Sequence, residues 1–177
     1  MKIKFLIPLV LLAALVVAGC GGDDSASSGA AGNSTDRAFV ADMIPHHVSA
    51  VNMATIAQER GESKFVKSLA DDIIESQTAE IGTMKEQDAE LAEADVEVGE
   101  LGMGHSAMGM EDISSLDTAT PFDKAFVDMM IPHHESAVEM ANIELEEGAD
   151  PELKELAEQI ISEQEREISE MEDFLAS

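Results

Sequence analysis

Tryptophan and tyrosine are absent from this 177-residue chain, and six phenylalanines are the only large aromatic side chains. Without ring platforms, base stacking and sugar binding drop out as primary functions. Basic residues are scarce: ten Lys and Arg stand against 37 Asp and Glu, a formal net charge of -27. Such a surface repels nucleic acid and anionic lipid and favours cations, although a charge excess of this kind usually marks solvated helix faces and by itself names no ligand. There is one cysteine, so an internal disulfide cannot form. Strand-like alternation of apolar and polar residues is also missing, which leaves helices to build the fold.

A targeting role explains the single cysteine. Lys2 and Lys4 precede an uncharged apolar run, Phe5 to Ala18, that is too short to span a bilayer and reads as a secretory signal. It ends in Val17, Ala18, Gly19 and Cys20, which resembles the lipobox of bacterial lipoproteins. The resemblance implies a lipoprotein signal peptide over 1–19, cleavage before Cys20, and acylation of Cys20 as a membrane anchor outside the cytoplasm. Residues 20–35 hold almost no side chain large enough to pack and read as a flexible tether. The folded part is then 36–177, enough for one compact core.

What the chain does have is a duplication. Residues 36–85 align without a gap to 123–172, and 26 of the 50 positions are identical. Each copy is rich in Ala, Leu, Ile, Met and Glu and is interrupted once, at Gly61 or Gly148, so each reads as a helical hairpin. The second interruption carries Asp150 as a cap and Pro151 at the first helical position. Hairpins over 36–92 and 121–177, joined by a Met/His linker at 99–112, predict an all-α antiparallel four-helix bundle.

Four of the five histidines fall in two identical doublets, His46-His47 and His133-His134, each directly behind a proline. On a helical wheel both doublets lie on the apolar arc, with Met43 and Met53 or Met130 and Met140. The partner arcs contain Gln77 and Glu80 beside Met84, and Gln164 and Glu167 beside Met171. Folding each hairpin about its glycine brings His46 and His47 level with Gln77, and Met43 level with Glu80. Pro45 and Pro132 are expected to kink their helices beside this layer. A buried carboxylate needs a partner. Imidazole with thioether is a donor set for copper, above all Cu(I) or its mimic Ag(I), because thioethers are too soft for Mg²⁺ or Ca²⁺. Glu80 and Glu167 would orient a ring N–H or bind directly, with Gln77 and Gln164 supporting them. The competing reading is a hydrogen-bonded His/Gln/Glu layer that fixes helix register in an envelope interaction or sensor module without metal.

In the linker, Met103, His105, Met108 and Met110 lie among glycines, with neither a helical face nor a core to fill, and are expected to form a second, weaker metal site. A ferroxidase is disfavoured, because di-iron bundles use a Glu three residues before a ligand His and no doublet histidine has one. Two "MIPHH" helices, each followed by "QxxEIxxM", resemble the ferritin-like domain-of-unknown-function family, some of whose members handle copper or silver in the periplasm. The resemblance spans both hairpins. It implies a four-helix ferritin-like bundle that is exported, with a copper ion at Met43, His46, His47, Met53, Glu80, Met84 and their counterparts Met130, His133, His134, Met140, Glu167 and Met171, and the missing Glu-x-x-His pairs lead to the expectation that it is not an enzyme. A copper-donor or acceptor protein as partner, and a homo-oligomeric state, stay open.

Overall fold

The computed structural model describes residues 32–104 and 112–177. The signal segment, Cys20, and His105, Met108 and Met110 of the linker lie outside them. The described residues form four long helices and no strand: α1 Ser34–Arg60, α2 Lys64–Glu93, α3 Phe122–Glu147 and α4 Pro151–Ala176. A 3-10 turn, Ile113–Asp117, precedes α3. None of the helices is long and apolar enough to cross a membrane.

α1 starts at Ser34, inside the stretch assigned to the tether, because Asn33 caps it. The Asn33 side chain accepts from the backbone N–H groups of Thr35 and Asp36 at 2.7 and 3.1 Å, and the Asp36 carboxylate accepts from Asn33 N–H in return. Ser63 caps α2 through Val66 N–H, and Asp150 caps α4 through Glu152 and Leu153. Gly61 and Gly148 end α1 and α3. Both of those helices run through their interior prolines without a break in helical assignment; Pro45 and Pro132 are exposed, so each ring costs one backbone bond on the solvent side.

The two hairpins pack with α1 antiparallel to α3, and each hairpin's turn is held by the other hairpin. Asp36, fully buried at the start of α1, accepts from Ala149 N–H at 2.9 Å and Asp150 N–H at 2.8 Å. Asp123, its counterpart in α3, accepts from Glu62 and Ser63 N–H at 2.8 and 2.7 Å. Burial alone would raise the Asp123 carboxyl, but these N–H donors outweigh it and hold it below the usual range. Arg60 ties down the end of the linker by donating to the carbonyls of Leu116 and Ala119 and lying 4.8 Å over the Phe122 ring.

The apolar core is in two pieces. One contains Phe39, Met43, Met84, Met140, Leu153 and Ile160; the other contains Phe126, Met130, Met171, Met53, Val66 and Ile73. Each of these residues in the first piece has its duplicate in the second, so the pieces are related by the repeat. The histidine doublets lie between them.

Candidate metal centre

All four doublet histidines are buried, none more than 2% exposed. α1 and α3 cross at this layer, bringing the His46 and His133 rings to 3.7 Å between centroids, with His47 6.1 Å from His46 and His134 6.4 Å from His133. His47 Nε2 lies 2.8 Å from Glu80 Oε2, and His134 Nε2 lies 2.7 Å from Glu167 Oε2. The carboxylates therefore meet the histidines directly, one helical turn away from the level expected. Side chains tilt toward the N-terminus of their own helix, which is away from the turn in α1 and toward it in α2. Residues that touch across the hairpin consequently have their Cα atoms farther along both helices than a flat ladder predicts.

These contacts fix which ring nitrogens are free. A carboxylate only accepts, so His47 and His134 donate Nε2–H to Glu80 and Glu167. Ser136 Oγ gives its only proton to the His133 carbonyl at 2.7 Å, so it accepts from His46 Nε2–H at 2.9 Å. The Nδ1 atoms of His46, His47 and His134 are buried without a hydrogen-bond partner, and a proton there would be a buried donor with no acceptor. Each of these three rings thus presents an unpartnered Nδ1 inside the bundle. His133 has neither nitrogen partnered. Burial, followed by the neighbouring His134 and His47, pushes His133 down to about 3; burial and His133 push His46 still lower. Both stay neutral, the form that binds metal.

The sequence profile of the family described as a domain of unknown function (DUF305) matches residues 36–175. The chain belongs to that family. Among solved DUF305 and related structures, it is similar to CopM in the Cu(I)-bound form, with TM-score 0.66 and 34% identity over 78% of this chain and 94% of that one. CopM in the Ag-bound form gives the same TM-score and identity, covering 78% and 93%. A DUF305 fragment from Deinococcus radiodurans is 33% identical with TM-score 0.65, covering 80% of this chain and 95% of that one. No curated protein matches the chain.

This DUF305 bundle does not keep each copy's methionine sulfurs together. All six methionines of the motif are buried, at most 1% exposed, but Met43 and Met84 share their cluster with Met140, while Met130 and Met171 share theirs with Met53. Each side of the histidine layer thus has three of the motif's thioethers, drawn from both hairpins. Glu80 and Glu167 meet a ring N–H as expected, whereas Gln77 and Gln164, expected to support them, are buried with Gln77 Oε1 and both amide atoms of Gln164 lacking a partner. Met103 corrects the view of the linker as lacking a core: it packs partly buried against the first cluster, behind Leu101. Ser136 was not singled out as part of the layer. Its signal was present, since Ser49 and Ser136 both follow the doublets, but only the antiparallel crossing of α1 and α3 brings it to His46. Among the described residues, no group of three or more His, Cys, Asp or Glu side chains is arranged to hold a metal. What the layer supplies is bare imidazole nitrogen bracketed by thioether clusters, a donor chemistry that fits a soft monovalent ion and not a hard one.

Proposed function

We propose that this bundle binds copper as Cu(I), with Ag(I) as its mimic, for sequestration, tolerance or transfer of the metal. The observation that carries the reading is the set of three bare Nδ1 atoms, each fixed by Nε2–H donation to Ser136, Glu80 or Glu167. Buried lone pairs with no donor to satisfy them are costly, and a soft cation is the partner they suit. Similarity to CopM, whose structures hold Cu(I), Cu(II) and Ag, supports the same reading. The metal is cargo: the ligand candidates are His46, His47, His133 and His134 with Met43, Met84 and Met140 on one side and Met53, Met130 and Met171 on the other. Linker residues Met103, His105, Met108 and Met110 are proposed as a weaker collecting site. The motif ending at Cys20 supports anchoring of the bundle by lipid to the outer side of the cell membrane.

The alternative is a polar layer that sets helix register and binds nothing; that no group of three His, Cys, Asp or Glu side chains converges among the described residues favours it. A Cu(I) competition titration of wild type against His47→Ala/His134→Ala separates the two. The copper reading expects the tight class of binding to weaken by about a hundredfold while helix content persists. Unchanged affinity together with lower stability would establish the register layer instead.

A further inference from the structure

The duplication sets residues of α2 opposite their own counterparts in α4. Ser76 and Ala79 correspond to Glu163 and Arg166, and these four residues line one open groove with Asp72 and Glu75. This seam is the loosest contact among neighbouring helices of the bundle, each of the two helices being packed mainly against its own hairpin partner. Elsewhere the layer is enclosed by the two apolar clusters.

The two His–Glu pairs behind the groove are not equally covered. The Glu80 side chain is 13% exposed and that of Glu167 only 1%. Arg166 accounts for the difference. Its Nη2 lies 3.4 Å from Glu167 Oε1 and 3.9 Å from Glu163 Oε1, and its Nη1 donates to Glu170 at 2.8 Å, so the guanidinium is laid over Glu167. Ala79, in the same place on α2, has only a methyl group and leaves Glu80 uncovered. Glu163 stands between the two pairs: burial raises its carboxyl first, and the Glu167 and Glu80 charges add to the rise.

We propose that a monovalent soft cation reaches the histidine layer through the α2–α4 groove, passing Glu163 and Glu80 to His47, while Arg166 closes the equivalent approach past Glu167 to His134. The inference rests on the copper-binding reading. A carboxylate at the mouth draws the cation in, and a fixed guanidinium repels it and fills the space, so the two copies of one motif divide into an open and a shut side.

The test is the rate of Cu(I) transfer from a coloured chelator to the soluble bundle in deoxygenated buffer, and the rate of its release back to excess chelator. Glu163→Lys should slow loading by about tenfold and slow release with it, because an entry path acts on both directions. Arg166→Gln should speed loading by about threefold. Glu139→Lys, an equal charge change at an exposed position of α3 away from the groove, should move loading by less than about twofold. Helix content is compared across all variants by circular dichroism. Equal slowing by Glu163→Lys and Glu139→Lys would show that net charge alone governs loading and would overturn the entry path, as would an Arg166→Gln protein no faster than wild type. Wild type that binds Cu(I) tightly with rates unmoved by these changes refutes the path alone. Wild type that takes no Cu(I) from the chelator refutes both the path and the function.

Discussion

Glu144 is a fully buried carboxyl to which no N–H or hydroxyl group donates; it lies beside the Asp36 carboxylate, and the equivalent position of the first copy is Ala57. Burial raises it to about 9, and Asp36 beside it adds to the rise while Lys154 opposes it. The folded protein therefore keeps Glu144 protonated at pH where the unfolded chain has released the proton. Since the unfolded state binds fewer protons between about pH 4.5 and about pH 9, stability falls as pH rises across that window, by at most about 1.4 kcal/mol per pH unit from this group. Glu144→Gln removes the ionisation without changing the shape. Urea unfolding at pH 5, 7 and 9 should show the variant gaining on wild type at each step upward; a difference independent of pH would mean that Glu144 is not the group responsible. The first copy shows that the fold does not need an acid here. Nothing in the composition singled out Glu144 among 37 acidic residues, because its burial depends on the other hairpin's Asp36 closing over it.

The helices were legible because their punctuation is local. Gly61, Gly148, Asp150 and Pro151 act within a turn of where they stand, and the spacing of apolar residues placed His46, His47, His133 and His134 on buried faces, where the structure has them. Contacts between elements were less legible. His47 was expected level with Gln77, and Glu80 with Met43, because a flat ladder ignores the tilt of side chains along each helix; the structure pairs His47 with Glu80. The clamp by Asp36 and Asp123 was invisible for a different reason: both residues begin the repeat, but their targets are the turns of the opposite hairpin, and only the antiparallel docking of α1 on α3 joins them. Asp123→Ala should leave the Glu62 and Ser63 N–H groups without their acceptor and cost about 1–3 kcal/mol. Because Asp123 is held below its unfolded value of 3.8, its contribution is complete above that pH and disappears as pH falls through the folded value. The variant should therefore differ most from wild type above pH 5 and converge with it in acid. A deficit that persists undiminished at pH 2 would assign the loss to packing and not to the carboxylate.

At the scale of the molecule, the duplicated bundle places its polar layer at the centre, where a domain of this size would gain most from continuous apolar packing. Two clusters of Phe, Met, Leu, Ile and Val face each other across histidines whose Nδ1 atoms have no partner. Each unsatisfied buried group of this kind costs about 1–3 kcal/mol, so without metal the layer opposes folding. His46→Leu/His133→Leu replaces the 3.7 Å ring pair by side chains that can join the clusters above and below, while the Ser136 hydroxyl keeps its bond to the backbone carbonyl of residue 133. The double variant should be more stable than the metal-free wild type by a few kcal/mol, about 4 °C in melting temperature for each. Adding Ag(I) should offset this difference, because it stabilises the wild type far more than the variant. At a free concentration a hundredfold above Kd, one bound ion stabilises the wild type by about 2.7 kcal/mol, and the variant, having lost two imidazoles from the layer, should gain far less. Thermal unfolding of both proteins with and without Ag(I) tests this. A variant that is less stable than metal-free wild type, or that gains equally from Ag(I), would mean that the central histidines hold the helices in register and that the metal, if bound, is bound elsewhere.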